Sequence, residues 1–173
     1  MSQHAGRCDL QDQTQGNGAT VPPIAAELTT MSDVNDELGE ISLGNGYVEA
    51  RLTRSVEHDQ QAVWKALTDP ARLVEWLAPG TIDTRVGGAA KLNFTDGGTV
   101  IDSRVTACDA PALLEYSWSS PGEPLRPVRW ETLPTTGGTQ LVLTLRVPAA
   151  EDIGRSCAGW EAHLTSIFRQ QII

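Results

Sequence analysis

The sequence predicts an α+β domain in which a curved antiparallel sheet wraps around one long C-terminal helix, with two short helices after the first strand. Three observations predict it. Short alternating segments are punctuated by Gly87-Gly88, Gly97-Gly98 and Gly137-Gly138, the punctuation of antiparallel hairpins. The chain then closes on an apolar stripe at helical spacing: Ile153, Cys157, Trp160, Leu164 and Ile167. A sheet with one apolar face and a helix with one apolar stripe leave water by packing on each other.

The elements follow in order. Residues 1–40 hold no aromatic residue, are rich in polar and acidic residues and carry Pro22-Pro23. Such a segment buries too little apolar surface to offset its ordering entropy. Residues 1–42 are therefore expected to be a disordered acidic tail and residues 43–173 the domain. Met31 opens Met-Ser-Asp-Val, a second plausible start that would leave residues 1–30 untranslated. Tyr47 to Val56 alternates, with Val48, Ala50 and Leu52 on one side, and reads as a half-buried strand. His58 to Thr68 places Val63, Trp64 and Leu67 at helical spacing, with Asp59 in the first turn. Asp69-Pro70 ends that helix and opens a second as N-cap and first residue; it carries Leu73, Trp76 and Leu77 and stops at Pro79-Gly80.

Strands are expected at Thr81–Val86, Ala89–Thr95, Thr99–Cys108, Leu113–Ser119, Val128–Leu133 and Gln140–Val147, with a proline-rich loop before the last pair. Pro148 sits where the final helix should begin. A helix from Ala149 to about Gln171 would be roughly 35 Å long. Gly159 inside it costs about 1 kcal/mol of helix propensity relative to alanine; close approach of helix and sheet is the expected compensation.

Composition excludes several functions. The net charge is −9, and residues 1–43 hold Arg7 as their one basic residue against seven acidic ones. No basic stripe exists for nucleic acid or an anionic membrane. No apolar run is long enough to span a bilayer, and the N-terminus lacks a signal-peptide core. Cys8, Cys108 and Cys157 are odd in number and far apart, which favours a reducing, cytoplasmic setting over a disulfide framework and offers no paired zinc ligands. No glycine pair opens a helix after a strand, so nucleotide binding is rejected, and no cofactor or metal is expected.

Alternation nominates the inward residues: Leu92 and Phe94; Ile101, Ser103 and Val105; Leu114, Tyr116 and Trp118; Val128 and Trp130; Leu141, Leu143 and Leu145. They form either a packed core or the wall of a cavity for an apolar guest. Polar atoms on these apolar faces (Ser103, Tyr116, the indoles of Trp118 and Trp130) favour the cavity, because buried polar groups need partners. The residues expected to contact a ligand are Trp76, at the pocket mouth, with Leu92, Phe94, Ile101, Ser103, Tyr116, Trp118, Trp130, Leu143, Trp160, His163 and Leu164. His163 is either an acid–base group facing the cavity or a hydrogen-bonded residue at the helix edge. No catalytic residue is assigned.

Val63-Trp64-Lys65-Ala66-Leu67-Thr68-Asp69-Pro70, followed by Leu73-Val74-Glu75-Trp76-Leu77, resembles the opening motif of the heat-shock protein 90 ATPase activator homologue-like family. Gly159-Trp160-Glu161-Ala162-His163-Leu164 resembles its C-terminal helix motif. The resemblance spans about residues 41–173 and implies the helix-grip fold of the START-related, Bet v 1-like superfamily, which hosts lipid carriers, cyclases and hydroxylase modules. It also implies a chaperone as a protein partner. Thr132 stands where the family pattern favours an apolar residue, and a bulge is expected there. The leading expectation is non-enzymatic binding of a small hydrophobic or amphipathic molecule between sheet and helix. A protein-interaction module and a cyclase- or lyase-type enzyme are the alternatives.

Overall fold

Alternation along Tyr47–Val56 and a complementary run at Gly138–Pro148 pair these two strands along their whole length, with Leu52 opposite Leu143 and Ala50 opposite Leu145. The computed structural model describes residues 39–94 and 99–169. Its elements are β1 (Gly39–Leu43), β2 (Tyr47–Val56), α1 (Gln60–Thr68), α2 (Pro70–Trp76), β3 (Gly80–Ile82), β4 (Ala89–Phe94), β5 (Thr99–Asp109), β6 (Leu113–Ser117), β7 (Pro127–Thr135), β8 (Gly138–Pro148) and α3 (Ile153–Arg169). The strands form one antiparallel sheet in the order β1-β2-β8-β7-β6-β5-β4-β3. The fold is the expected helix-grip arrangement.

The domain begins earlier than Leu43. Gly39–Ser42 belong to β1, paired with β2 from Gly39↔Leu52 to Leu43↔Val48, although all five residues of β1 are exposed. Backbone pairing to an alternating neighbour sets this edge strand, so hydrophobicity does not mark its start. The expectations for the tail before Gly39 and for the Gly97-Gly98 turn lie outside the described residues.

Asp59 is the N-cap of α1, its side chain accepting from the Ala62 N–H, one position before the first turn that the sequence predicts for it. Asp69 caps α2 in the same way, with Pro70 at the first helical position, as the sequence indicates. The final helix starts later than Pro148. β8 runs through that proline, and Asp152 accepts from the Gly154 and Arg155 N–H groups at the start of α3. β3 stops at Ile82, and Gly87 and Gly88 bond to Val105 of β5 across the turn.

Two close approaches depend on glycine. Gly138 sits at φ +148° in the β7–β8 turn, where a Cβ would stand 2.0 Å from the Val56 carbonyl oxygen. A Cβ on Gly80 would meet the Lys91 carbonyl oxygen at 2.1 Å, so only glycine starts β3 against β4.

The core lies between the concave face and the helices. It joins Leu52, Val63, Leu73, Leu92, Ile101, Leu114, Tyr116, Trp130 and Leu143 with Trp160, Leu164 and Ile167 of α3. The convex face is laced by ion pairs between directly opposed residues: Glu49–Arg146 between β2 and β8, Lys91–Asp102 between β4 and β5, and Glu115–Arg129 between β6 and β7. Opposed charges at facing positions suit a solvated sheet surface. No helix among the described residues is long and apolar enough to cross a membrane.

The bulge lies in β5, between Val105 and Ala107, and not at Thr132. β7 keeps continuous register against β8 through Thr132↔Leu141. Thr132 stays on the inward face, 3% exposed, because its polar atoms are paired. Its hydroxyl donates to the Pro111 carbonyl (2.7 Å), and the Gln60 side chain donates to the Thr132 carbonyl (2.8 Å). One threonine thus joins the start of α1, the β5–β6 turn and β7.

Candidate functional site: an aromatic-walled pocket beside the C-terminal helix

The fold gathers most of the nominated aromatic residues into one network. Trp118 meets Trp160 edge-on at 4.7 Å between ring centroids, and Trp160 meets Trp130 at 5.4 Å and His163 at 5.7 Å. Phe94 lies 5.5 Å from Trp118 and 6.3 Å from His163; Trp76 lies 6.0 Å from Trp130 and 6.5 Å from His163. His163 therefore touches rings contributed by both the sheet and the α1–α2 corner. Edge-to-face pairs of this kind contribute about 0.5–1.5 kcal/mol each beyond area burial.

The predicted site residues divide into two groups. Leu92, Ile101, Tyr116, Trp130, Leu143 and Leu164 are 2% exposed or less and belong to the core. Trp76, expected at a pocket mouth, is 4% exposed, and its indole N–H donates to the Ala66 carbonyl (2.9 Å), locking α2 onto α1. Burial raises the Tyr116 phenol well above its ordinary range, while a hydrogen bond with the Trp130 side chain pulls the other way. These two polar atoms of the apolar face thus serve each other. Phe94 is partly buried against the core. Ser103 is different: its buried hydroxyl has no hydrogen-bond partner.

Trp118, Trp160 and His163 line a pocket of about 260 Å³ that opens on the flank of α3, together with Arg155, Ser156 and Gly159. A separate small cavity of about 30 Å³ shares Trp118, Ser156 and Trp160 with it and is also lined by Val128 and Leu145. Sequence reasoning missed Arg155, Ser156 and Gly159. They lie four and eight residues before His163 or one turn around from Trp160, so the helical period carried the signal. These positions lie beside the apolar stripe and not on it.

Each wall is held in place. β6 ends at Ser117, so Trp118 opens the proline-rich loop, where its N–H donates to the Arg126 carbonyl (2.7 Å). The Ser119 hydroxyl donates to the Pro124 carbonyl (2.7 Å), and the Arg126 N–H donates to both the Ser117 and Ser119 hydroxyls (3.0 and 3.2 Å). The Arg126 guanidinium grips both carboxylate oxygens of Glu151 (2.8 and 3.0 Å), which raises its pKa; desolvation opposes the rise. This fork anchors the Trp118 loop to the chain just before α3. On the other side of α3, the half-buried Glu161 accepts from the buried Arg54 of β2 (2.5 Å).

His163 Nδ1 lies 3.2 Å from the Trp76 carbonyl oxygen. A carbonyl only accepts, so Nδ1 carries the proton in this bond and Nε2 is the acceptor of the neutral ring. The remaining nucleophile candidates are poor. Burial raises the thiols of Cys157 and Cys108, with Glu161 and Asp109 adding to the rise, so neither is activated. Among the described residues no group of His, Cys, Asp and Glu could hold a metal ion.

Gly159 overturns the expected reason for a glycine in α3. A Cβ built there meets nothing within 4 Å, so no close helix–sheet contact requires it. The missing side chain opens onto the pocket instead.

Comparison with known proteins agrees with the fold. Protein MLL2253 from Mesorhizobium loti superposes with a TM-score of 0.62 at 24% identity, over 72% of this chain and 95% of that one. An AHSA1-like protein from Aeromonas hydrophila gives 0.58 at 20%, over 72% and 95%. DynU16, from the dynemicin biosynthetic locus, gives 0.63 at 25%, over 73% of this chain and 47% of its own. No curated protein matches the chain. The model of the family described as activator of Hsp90 ATPase homolog 1-like protein matches residues 57–169, which contain α1, α2, the sheet from β3 onward and α3. The chain, with both signature helices in place, belongs to the activator of Hsp90 ATPase homolog 1-like family.

Proposed function

We propose that the protein binds a small hydrophobic or amphipathic molecule without transforming it, in the pocket between Trp118 and the flank of α3. The observation that carries this reading is a preformed recess of about 260 Å³ with two tryptophans in its wall and a helical glycine left open at its side. Burial of apolar guest surface against those rings supplies about 25 cal/mol per Å² before association costs. The volume is just below the range of drug-sized sites, which favours a guest of one or two rings. Among the described residues His163 is the one acid–base side chain lining the recess, and a second proton-transfer partner is what a cyclase or lyase would add. The ion-paired convex face favours a ligand-binding role over an apolar protein-docking role.

The test uses 2-naphthamide as a neutral two-ring probe, titrated into the protein while the indole N–H resonances of Trp118 and Trp160 are followed. Both are expected to shift saturably. Gly159→Leu should remove the shifts while the thermal transition remains cooperative. Shifts that survive Gly159→Leu, or no shifts in the natural protein, would overturn the reading.

A further inference from the structure

We infer that the pocket selects flat aromatic carboxylates, with Arg155 as the residue that recognises the anion. This inference rests on the ligand-binding reading above and names its chemical class. Arg155 lines the pocket with Trp118 and Trp160, yet its guanidinium takes part in no ion pair or hydrogen bond among the described residues. Its neighbours' carboxylates are committed elsewhere. Glu151 is held by the Arg126 fork, Asp152 accepts from the Gly154 and Arg155 backbone N–H groups, and Glu161 pairs with Arg54 across the helix. In a chain of net charge −9, an unpaired arginine beside a pocket is a local reversal of the field.

The chemistry of the other walls completes the specification. The two indoles present apolar surface to a planar ring. The guanidinium fork matches the two oxygens of a carboxylate, which a neutral guest cannot exploit. Gly159, one turn along α3 from Arg155, leaves the space between cation and rings open. His163 Nε2 accepts from a ring hydroxyl or N–H in its neutral form, so a hydroxylated or indolic aromatic acid can engage both Arg155 and His163.

The experiment compares 2-naphthoate with its neutral isostere 2-naphthamide by calorimetry and by the Trp118 and Trp160 indole resonances, on the full chain. The natural protein is expected to bind the carboxylate about fivefold more tightly, as befits an anion pairing at a solvent-exposed cation. Arg155→Gln should abolish that preference, so that the carboxylate and the amide bind with equal affinity. Arg72→Gln, which removes the same charge from α2, should keep the preference. Equal binding of the two probes, or a preference that survives Arg155→Gln, overturns the anion assignment and leaves the pocket reading standing. Failure of both probes to bind overturns both.

Discussion

Replacing Gly159 by alanine separates a glycine kept for packing from a glycine kept for the pocket. If α3 needed close contact with the sheet at this point, a methyl group would collide and the protein would lose stability. The structure gives the opposite sign. Position 159 is exposed, lies in the middle of α3 and offers an added Cβ no neighbour within 4 Å. The whole helix-propensity difference, about 0.8–1 kcal/mol, should therefore appear as a gain. For a domain of this size that is a rise of about 3 °C in melting temperature. Urea and thermal unfolding followed by far-ultraviolet circular dichroism measure it, with Gly159→Leu as the bulkier companion. Leucine has nearly the same propensity, so it should retain most of the gain while occupying the recess. A destabilised alanine variant would refute the reasoning, because it would mean that the helix flank is packed where the structure shows it open.

Other substitutions probe the polar atoms inside the sheet. Ser103→Ala removes a buried hydroxyl without a partner and should raise stability by about 1 kcal/mol in urea unfolding; a loss instead would show that the hydroxyl has a bonded water. Thr132→Val should lower stability by about 1–2 kcal/mol, although valine suits the family pattern, since it removes the bond to the Pro111 carbonyl and one of the two acceptors of Gln60. Burial raises the Tyr116 phenol, so the folded state holds that proton more tightly than the unfolded state. Its contribution is therefore intact below the ordinary phenol range and declines as pH rises above about 10, by up to about 1.4 kcal/mol per pH unit. Tyr116→Phe should flatten that decline relative to the natural protein, and an unchanged slope between pH 10 and 11 would show that Tyr116 is not its source.

The fold was legible because its determinants are periodic. Every inward residue nominated on β4 to β8 is buried or half-buried, and the stripe from Ile153 to Ile167 is the buried face of α3. What escaped was set by contacts that no period encodes. β1 is exposed along its whole length and exists through backbone pairing. Thr132 broke the apolar pattern without breaking the strand, because Pro111, distant in sequence, supplies its acceptor. The candidate site was legible only in part. Alternation identifies a residue as inward but does not distinguish a wall from a core. Leu92, Tyr116 and Trp130 are core, whereas Trp118 reaches the recess because β6 ends one residue before it. A charge on a helix usually means solvent, which hides Arg155, and a glycine inside a helix suggests a close contact with the sheet, which hides the role of Gly159. Their significance comes from facing Trp118, which a separate loop positions.

The division between a filled interior and an open flank also bounds the affinity such a protein can reach. With Trp130, Tyr116, Leu143 and Leu164 sealed from solvent, a guest in this recess is covered on one side by α3 and Trp118 and remains partly wet on the other. A two-ring acid has ~13 non-hydrogen atoms, and at about 0.3–0.5 kcal/mol per atom it gains about 4–6.5 kcal/mol. That corresponds to dissociation constants from on the order of 1 mM down to tens of micromolar. A guest held so weakly leaves during purification, so a search for a co-purified molecule is the wrong test of this site. If the proposed reading holds, the same weakness suits exchange: a preformed recess that needs no core rearrangement would load and unload by diffusion, and its occupancy would follow the concentration of the free ligand. Tight binding of a larger apolar molecule would require the aromatic network around His163 to open, starting with the Trp118–Trp160 contact at 4.7 Å. Binding of that kind would perturb the buried Trp76 and Trp130 resonances as well as those of Trp118 and Trp160, which makes the two modes separable in a single titration.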